Sequence, residues 1–491
     1  MITVGIDLGT QSTKVLVFDS EKSKILFKAT STYSLIEKKD GSREQKVEWF
    51  ISALVDCFNQ IPQSIKFQIQ GIGVSGQQHG FVALDENGKA LTNVKLWCDT
   101  STDSQCKELT QKLGGEEKVF SLIGNQIKSG YTVSKILYFK QNNPKSYSKL
   151  AHILLPHDYI NWYLTGEYTC ELGDASGTAM LDVRNKCWSK EVFEALDSEK
   201  DLMKFVPRII SFKQEAGKLT SSSAKALGLT TGIPVSCGGG DNMMGAIGCG
   251  CTSEGSLVMS MGTSGTLFGY SEKPVCDKKD RLAAFLSSSG GYLPLLCTMN
   301  CTVASEEVRK LFEMEVKDLD EIASSANPGC DGMIMLPYFN GERTPNYPKG
   351  KAVIAGIDSS NFNKANIARS ALESAVYSMK VGLEAFEEQG FKPNRLILIG
   401  GGSNSSVWPQ IVSNIMELEV VIPIIKESAA FGGAIQVLSL LEHRSIDETA
   451  SKYVKINEQK HFKPEEKTIE DYRKAYETYK KYDNALSELF R

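Results

Sequence analysis

The sequence predicts an α/β protein of two ribonuclease-H-like domains with a cleft between them. Three observations predict it. The 491 residues are too many for one core, which points to two large domains of roughly 150–250 residues each. A glycine- and hydroxyl-rich hairpin at the start has an echo about half the chain later. The segment after the first hairpin reads β-β-β-α-β, the strand order of a ribonuclease-H-like unit. The domains are placed at 1–248 and 249–491, with the boundary near residues 245–255.

The first hairpin reads Ile2-Thr-Val-Gly-Ile-Asp7-Leu-Gly9-Thr10-Gln-Ser12-Thr13-Lys14-Val-Leu-Val-Phe-Asp19. Two β-rich runs flank a Gly-containing turn. Gly9 allows close backbone approach, Thr10, Ser12 and Thr13 offer hydroxyls, and Lys14 adds positive charge. That set suits a phosphate, and Asp7 suits the magnesium a phosphate brings. The competing reading is an edge hairpin with a polar turn. The echo, Ser256 to Tyr270 around Gly262-Thr263-Ser264-Gly265, repeats the plan and suggests a duplicated domain with a nucleotide clamped between the copies.

Further elements follow in chain order. Lys24–Thr32 reads as a third strand and 47–58 as a helix. Residues 69–75 form a buried strand that leads into Ser75-Gly-Gln-Gln78-His79-Gly80. Helices are expected over 104–113, 132–141 and 159–164. Gly173 to Thr178 is expected to be a polar loop, followed by a strand over 179–183. A short strand, 234–237, enters Gly238-Gly-Gly-Asp241-Asn242. In the second half, 363–389 is the best helix, with Ile367, Ala371, Leu372, Ala375, Met379, Leu383 and Phe386 at helical spacing. A strand over 395–399 ends in Gly400-Gly401-Gly402-Ser403. The small-residue run 429–441 is a helix suited to close packing, and 465–489 is a charged surface helix.

Composition excludes several classes. Hydrophobic residues are 41% and charged residues 23%, as in ordinary soluble globular proteins. Lys plus Arg is 55 against 59 Asp plus Glu, so no basic excess argues for nucleic acid or an anionic membrane. No apolar run is long enough to span a bilayer. Met1 leads straight into a strand without a signal-peptide pattern, so a cytoplasmic location is expected. The twelve cysteines are scattered without a four-ligand spacing; buried thiols are expected rather than zinc.

Five glycine or hydroxyl loops follow strands, at Gly9, Gly76, Gly238, Gly262 and Gly400. Phosphate binding needs backbone N–H groups unobstructed by Cβ, which favours such loops. Neither a Walker-type nor a Rossmann-type glycine motif occurs. Asp241, after three glycines, is placed to take a proton from an attacking hydroxyl; a helix N-cap is its bland alternative. His79 sits at a strand end where it could hold a sugar hydroxyl, although a lone histidine is more often structural. Asp174 is open between a structural and a pocket role.

These residues together resemble the FGGY family of carbohydrate kinases, and within it the xylulokinase branch. The resemblance runs over nearly the whole chain. It rests on Gly5 to Lys14, Ser75 to Gly80, Leu155-Pro-His-Asp158-Tyr, Asp174 to Thr178, Gly239 to Asn242, Met261 to Ser264, Leu336 to Pro345 and Gly400 to Ser403. It implies the two-domain actin-like ATPase fold and ATP-dependent phosphorylation of D-xylulose to D-xylulose 5-phosphate. Asp241 would be the catalytic base, and Gln78, His79, Asp241 and Asn242 would hold the sugar. Thr10, Ser12, Thr13, Lys14, Gly262 and Thr263 would hold the phosphates of ATP. Gly400, Gly401 and Ser405 would lie along the nucleoside, and Asp7 would bind Mg2+, through water. Sugar and ATP are the expected partners, and a homodimer is compatible with this reading. The family's Trp-Asn-Asp-x-Arg-Thr stands here as Trp97-Cys98-Asp99-Thr100-Ser101-Thr102, which bears on the choice of sugar. Kinases for ribulose, another ketose, glycerol or another polyol are the alternatives, with a non-catalytic sugar or nucleotide sensor behind them.

Overall fold

The computed structural model describes all 491 residues. Two mixed sheets dominate. The first runs in the order Glu215–Lys218, Pro234–Ser236, Ile69–Gly76, Ile2–Leu8, Ser12–Asp19, Lys24–Thr32. The second runs Leu295–Thr298, Gly265–Gly269, Ser256–Met261, Arg395–Gly400, Val420–Pro423, Ile456–Phe462. In both, three antiparallel strands are followed by two parallel ones and an antiparallel edge. The duplication inferred from two short hairpins is therefore a duplication of sheet topology. The edge strands differ: Glu215–Lys218 precedes its partner in the chain, whereas Ile456–Phe462 follows its own.

Most expected elements form within two or three residues of their predicted ends. The helix Lys364–Glu388 buries Ala371, Leu372, Ala375, Met379, Leu383 and Phe386, which its period places on one face, while Ile367 near its start is only half-buried. Asn363 caps its first turn by accepting from the Asn366 N–H. One expectation fails. Gly173 to Thr178 is a helical turn, with Leu172–Ala175 helical and Ser176–Thr178 a 3-10 turn. The Glu171 carboxylate caps it by accepting from the N–H groups of Gly173 and Asp174, at 2.6 Å each. That cap turns a stretch of small polar residues into a helix start.

Two helices lie between the sheets. Ser428–Glu442, from the second half of the chain, packs Ala430, Phe431, Ala434 and Leu438 against Leu16, Phe18, Met244 and Ile247. Asp241–Cys249, from the first half, sends Met243 and Ala246 into a core shared with Val258, Phe268 and Ile397 of the second sheet. Glycines make this approach possible. A Cβ on Gly5 would lie 1.6 Å from the Ala430 carbonyl oxygen, and one on Gly248 would lie 1.8 Å from that of Ser428. All twelve cysteines carry free thiols, and only Cys187 is exposed. No helix is long and apolar enough to cross a membrane.

Candidate active site

Sheet register assembles the site. Asp7 stands opposite Ser75, and Ser75 opposite Gly239. Leu8 pairs with Gly76, and Gly76 with Gly240. Three adjacent strands thus end at one level, delivering Gly9, Gln77 and Asp241 side by side. The second sheet repeats this: Met261 pairs with Gly400, so Gly262 and Gly401 leave together. In both hairpins the glycine N–H closes the turn, from Gly9 to Ser12 O and from Gly262 to Ser264 O. The next two N–H groups of each turn, on Thr10, Gln11, Thr263 and Ser264, make no internal bond and are free donors.

Asp241 opens its helix, and the preceding Gly240 is the capping residue. The N-cap alternative for Asp241 is thereby removed. Its Oδ1 accepts from the Asn242 N–H (2.8 Å) and the Asn242 side-chain amide (3.1 Å), leaving Oδ2 free. Burial, with the neighbouring carboxylates Asp7 and Asp174, pushes the Asp241 carboxyl up to about 7, against the pull of the Asn242 bonds. The Asn242 amide also donates to Gln78 Oε1 at 2.8 Å, tying the Gln-His loop to the Asp241 helix. Gln78 Nε2 and His79 Nδ1 are buried without a partner. Both atoms lie beside Gly177, whose backbone packs against them.

His79 is held tightly. Its backbone is left-handed, φ 63°, and its ring clusters with those of Tyr131 and Phe285, at 4.9 and 5.5 Å between centroids. Gly177 sits against it, and a Cβ there would come 2.3 Å from the ring. Burial lowers the imidazole well below its usual range, so His79 is neutral at pH 7. Behind this loop, His157 bonds Asp174 through Nδ1 (2.7 Å) and faces Asp158 through Nε2 (3.0 Å), all three fully buried. Asp174 therefore belongs to the wall supporting the loop.

The Trp97 segment bridges the Gln77–His79 loop and the first hairpin. Trp97 Nε1 donates to Thr10 Oγ1 at 2.9 Å, and Thr10 donates to Gln77 Oε1 at 3.2 Å. Asp99 is buried and bonded to Lys95 Nζ (2.9 Å) and Ser101 Oγ (2.6 Å). A lysine from four residues earlier in the chain thus supplies the cation that this segment lacks at position 101. Arg343, from the second half, lies over the Trp97 ring at 5.6 Å.

A cavity of about 340 Å³ lies between the first hairpin sheet and the end of strand Arg395–Gly400. Lys14, Lys28, Gly400, Gly401, Asn404 and Lys426 are among its lining residues. Its apolar walls and three lysines match a nucleoside bearing phosphates. Lys28 Nζ bonds Glu427 at 2.6 Å across the two halves. Asp7 and Asp241 do not line this cavity. Lys28 was legible from register: Lys14 faces Thr30 and Leu16 faces Lys28, so alternation puts both lysines on one face.

Two of the expected nucleotide residues are placed elsewhere. Ser12 and Lys14 point to one side of their strand and Thr13 to the other, where its hydroxyl is fully buried. Alternation forbids three successive side chains from facing one ligand. Ser405 accepts from the N–H groups of Val407 and Trp408 where the helix Trp408–Met416 begins, at 3.2 and 3.0 Å, and donates to Asp320 at 2.8 Å. Ser403 and Asn404 line the cavity instead.

Asp7 is partly buried, and its Oδ1 accepts from Ser75 Oγ at 3.1 Å. Burial raises its carboxyl, with Lys14 opposing. No three His, Cys, Asp or Glu side chains are grouped as a ready-made metal site. One carboxylate beside phosphate-type loops is the donor set of a Mg2+ held mainly by phosphate oxygens and water, so Asp7 fits that ion.

Comparison with known proteins accords with this geometry. Residues 2–248 match the N-terminal domain model of the FGGY family of carbohydrate kinases, and residues 257–439 match its C-terminal domain model. The chain is 40% identical over 494 aligned residues to the xylulose kinase of Haemophilus influenzae, covering 99% of this chain and 100% of that protein. The crystal structure of the xylulose kinase from Bifidobacterium adolescentis superposes with a TM-score of 0.84 at 27% identity, covering 98% of this chain and 99% of that one. A gluconate kinase from Lactobacillus acidophilus, 21% identical, shares the fold with a TM-score of 0.93 over 100% of this chain and 99% of its own. Two sheets of one topology, a carboxylate at the joint strand end and matches to both domain models converge: the chain belongs to the FGGY family of carbohydrate kinases.

Proposed function

We propose that this chain transfers the γ-phosphoryl group of ATP to the primary hydroxyl of D-xylulose, giving D-xylulose 5-phosphate and ADP. The observation that carries the reading is Asp241: a carboxylate with one free oxygen, beside unsatisfied polar atoms of Gln78 and His79. The 40% identity to a xylulose kinase over the full chain supports the choice of sugar. A location in the cytoplasm suits twelve free thiols.

In this reading Gln78, neutral His79 and Asn242 hold the sugar hydroxyls. Asp241 Oδ2 accepts the proton of the C5 hydroxyl as its oxygen bonds the γ-phosphorus. The bond from that phosphorus to the β,γ-bridging oxygen breaks, and ADP leaves. Phosphoryl transfer asks for positioning and charge stabilisation more than base strength, and a carboxyl near 7 is ample. The free N–H groups of both hairpins, with Ser12 and Lys14, cradle the phosphates. Asp7 would hold the Mg2+ of Mg-ATP, which supplies charge neutralisation at the phosphates. The two halves, 1–248 and 249–491, close on the substrates and exclude water that would otherwise hydrolyse ATP.

The test is 31P and 13C NMR of the product formed from D-xylulose and Mg-ATP. The reading requires phosphate on C5. Phosphate on another carbon, or free inorganic phosphate alone, would refute it.

A further inference from the structure

We infer that Lys135 is a positioning residue that holds the sugar loop by clamping the main-chain carbonyl of His79. The inference rests on the reading of His79 as a sugar ligand. Lys135 lies in the helix Thr132–Asn142 and is fully buried. Its Nζ donates to His79 O and Gly130 O, each at 2.7 Å. Thr132 Oγ1 donates to the same His79 oxygen at 3.2 Å. No carboxylate lies within ion-pair distance of the ammonium.

A buried lysine without a carboxylate partner is expensive, and cores seldom contain one without a task. Here the ammonium meets a residue in the left-handed region, where only a few per cent of non-glycine residues are found. Two donors on one carbonyl fix the peptide plane of His79 and hence its side-chain direction. The imidazole is thereby set against Gly177, beside Gln78 and among Tyr131 and Phe285. The Lys135 charge faces Asp99, Cys98, Lys95 and Cys106, and burial pulls the amine down to about 7. Asp99 does not neutralise it directly, because its carboxylate is committed to Lys95 and Ser101. The loop therefore contributes its ligands already oriented, and the sugar does not have to order them.

The test compares Lys135→Met and Lys135→Gln with the unaltered protein in steady-state kinetics. The Met form should lower kcat/KM for the sugar about ten-fold or more while the KM for ATP stays within two-fold. The Gln form, which keeps neutral N–H donors, should recover part of the loss. Equal sugar kinetics in a folded Met form, or parallel loss for sugar and ATP, would overturn the inference. Should the Met form fail to fold, Thr132→Val removes the weaker donor and should raise the sugar KM two- to five-fold; no change there overturns it equally. With only five histidines, the ring resonance of His79 gives a readout independent of turnover. It should move in the Lys135 or Thr132 variant, and an unmoved resonance counts against the clamp. An unaltered protein that phosphorylates no sugar would sink the kinase reading instead, while the resonance still decides the clamp.

Discussion

Replacing Asp241 by Asn separates the chemistry of this site from its folding energetics. Asn keeps an oxygen to accept from the Asn242 N–H, so the helix start survives. What disappears is the buried charge. Raising a carboxyl from its ordinary 3.8 to about 7 penalises the ionised native state by about 4 kcal/mol, at 1.36 kcal/mol per pH unit. Asp241 is partly open to the cleft, where water screens it, and about 1–3 kcal/mol is the expected gain. The sign follows from proton binding. Between about pH 4 and 7 the native state holds this proton and the unfolded state does not, so Asp241 loses native stability as pH rises through that window. The advantage of Asn should therefore grow from pH 5 to about 7 and level off above it. Urea unfolding of both proteins across that range, without ligands, measures it. Turnover should fall at least about 100-fold in the Asn form, the lower end of general-base contributions. An Asn form whose stability difference is flat with pH, or which keeps more than a tenth of the turnover, would refute the reasoning.

Other outcomes follow from the same geometry. With Asp241 as base, kcat/KM for the sugar should rise with pH below about 7 and plateau above it, as the carboxylate becomes available; a profile already flat from pH 5 would contradict the raised carboxyl. Gly177→Ala places a Cβ 2.3 Å from the His79 ring and should raise the sugar KM ten-fold or more, by about 1.4 kcal/mol, leaving that for ATP unchanged. Lys14→Ala should do the reverse, raising the KM for ATP about ten-fold with little effect on sugar binding. Isothermal titration with a non-hydrolysable ATP analogue would check the binding part of that split.

Much of this was legible in the residues. The hairpins are written twice in glycines and hydroxyls, and β-branched runs mark the strands that carry them. Asp241 stood out because three glycines precede it, and these let the strand pass close to Gln78 and Ser288. What escaped is long-range. Nothing local announces that Lys135 reaches a carbonyl 56 residues away, or that His157 joins Asp174 behind the loop. The row of hydroxyls at Thr10, Ser12 and Thr13 reads as one surface, yet a strand alternates its faces and turns Thr13 into the interior. Ser405 reads as a nucleotide contact because a hydroxyl near a glycine turn can serve a ligand or a neighbouring turn; the Asp320 that engages it is 85 positions distant. The turn at Gly173 to Thr178 reads as a loop in sequence because its capping carboxylate, Glu171, lies outside the motif.

The measurement that bears most directly on the central claim is ADP release with Mg-ATP against D-xylulose, D-ribulose, L-ribulose, L-xylulose, glycerol and no sugar. The account predicts release with D-xylulose far above every other acceptor and near zero without sugar. Release that is equal without sugar would contradict the kinase, and preference for glycerol or a ribulose would contradict the reading of the His79 pocket as one for D-xylulose.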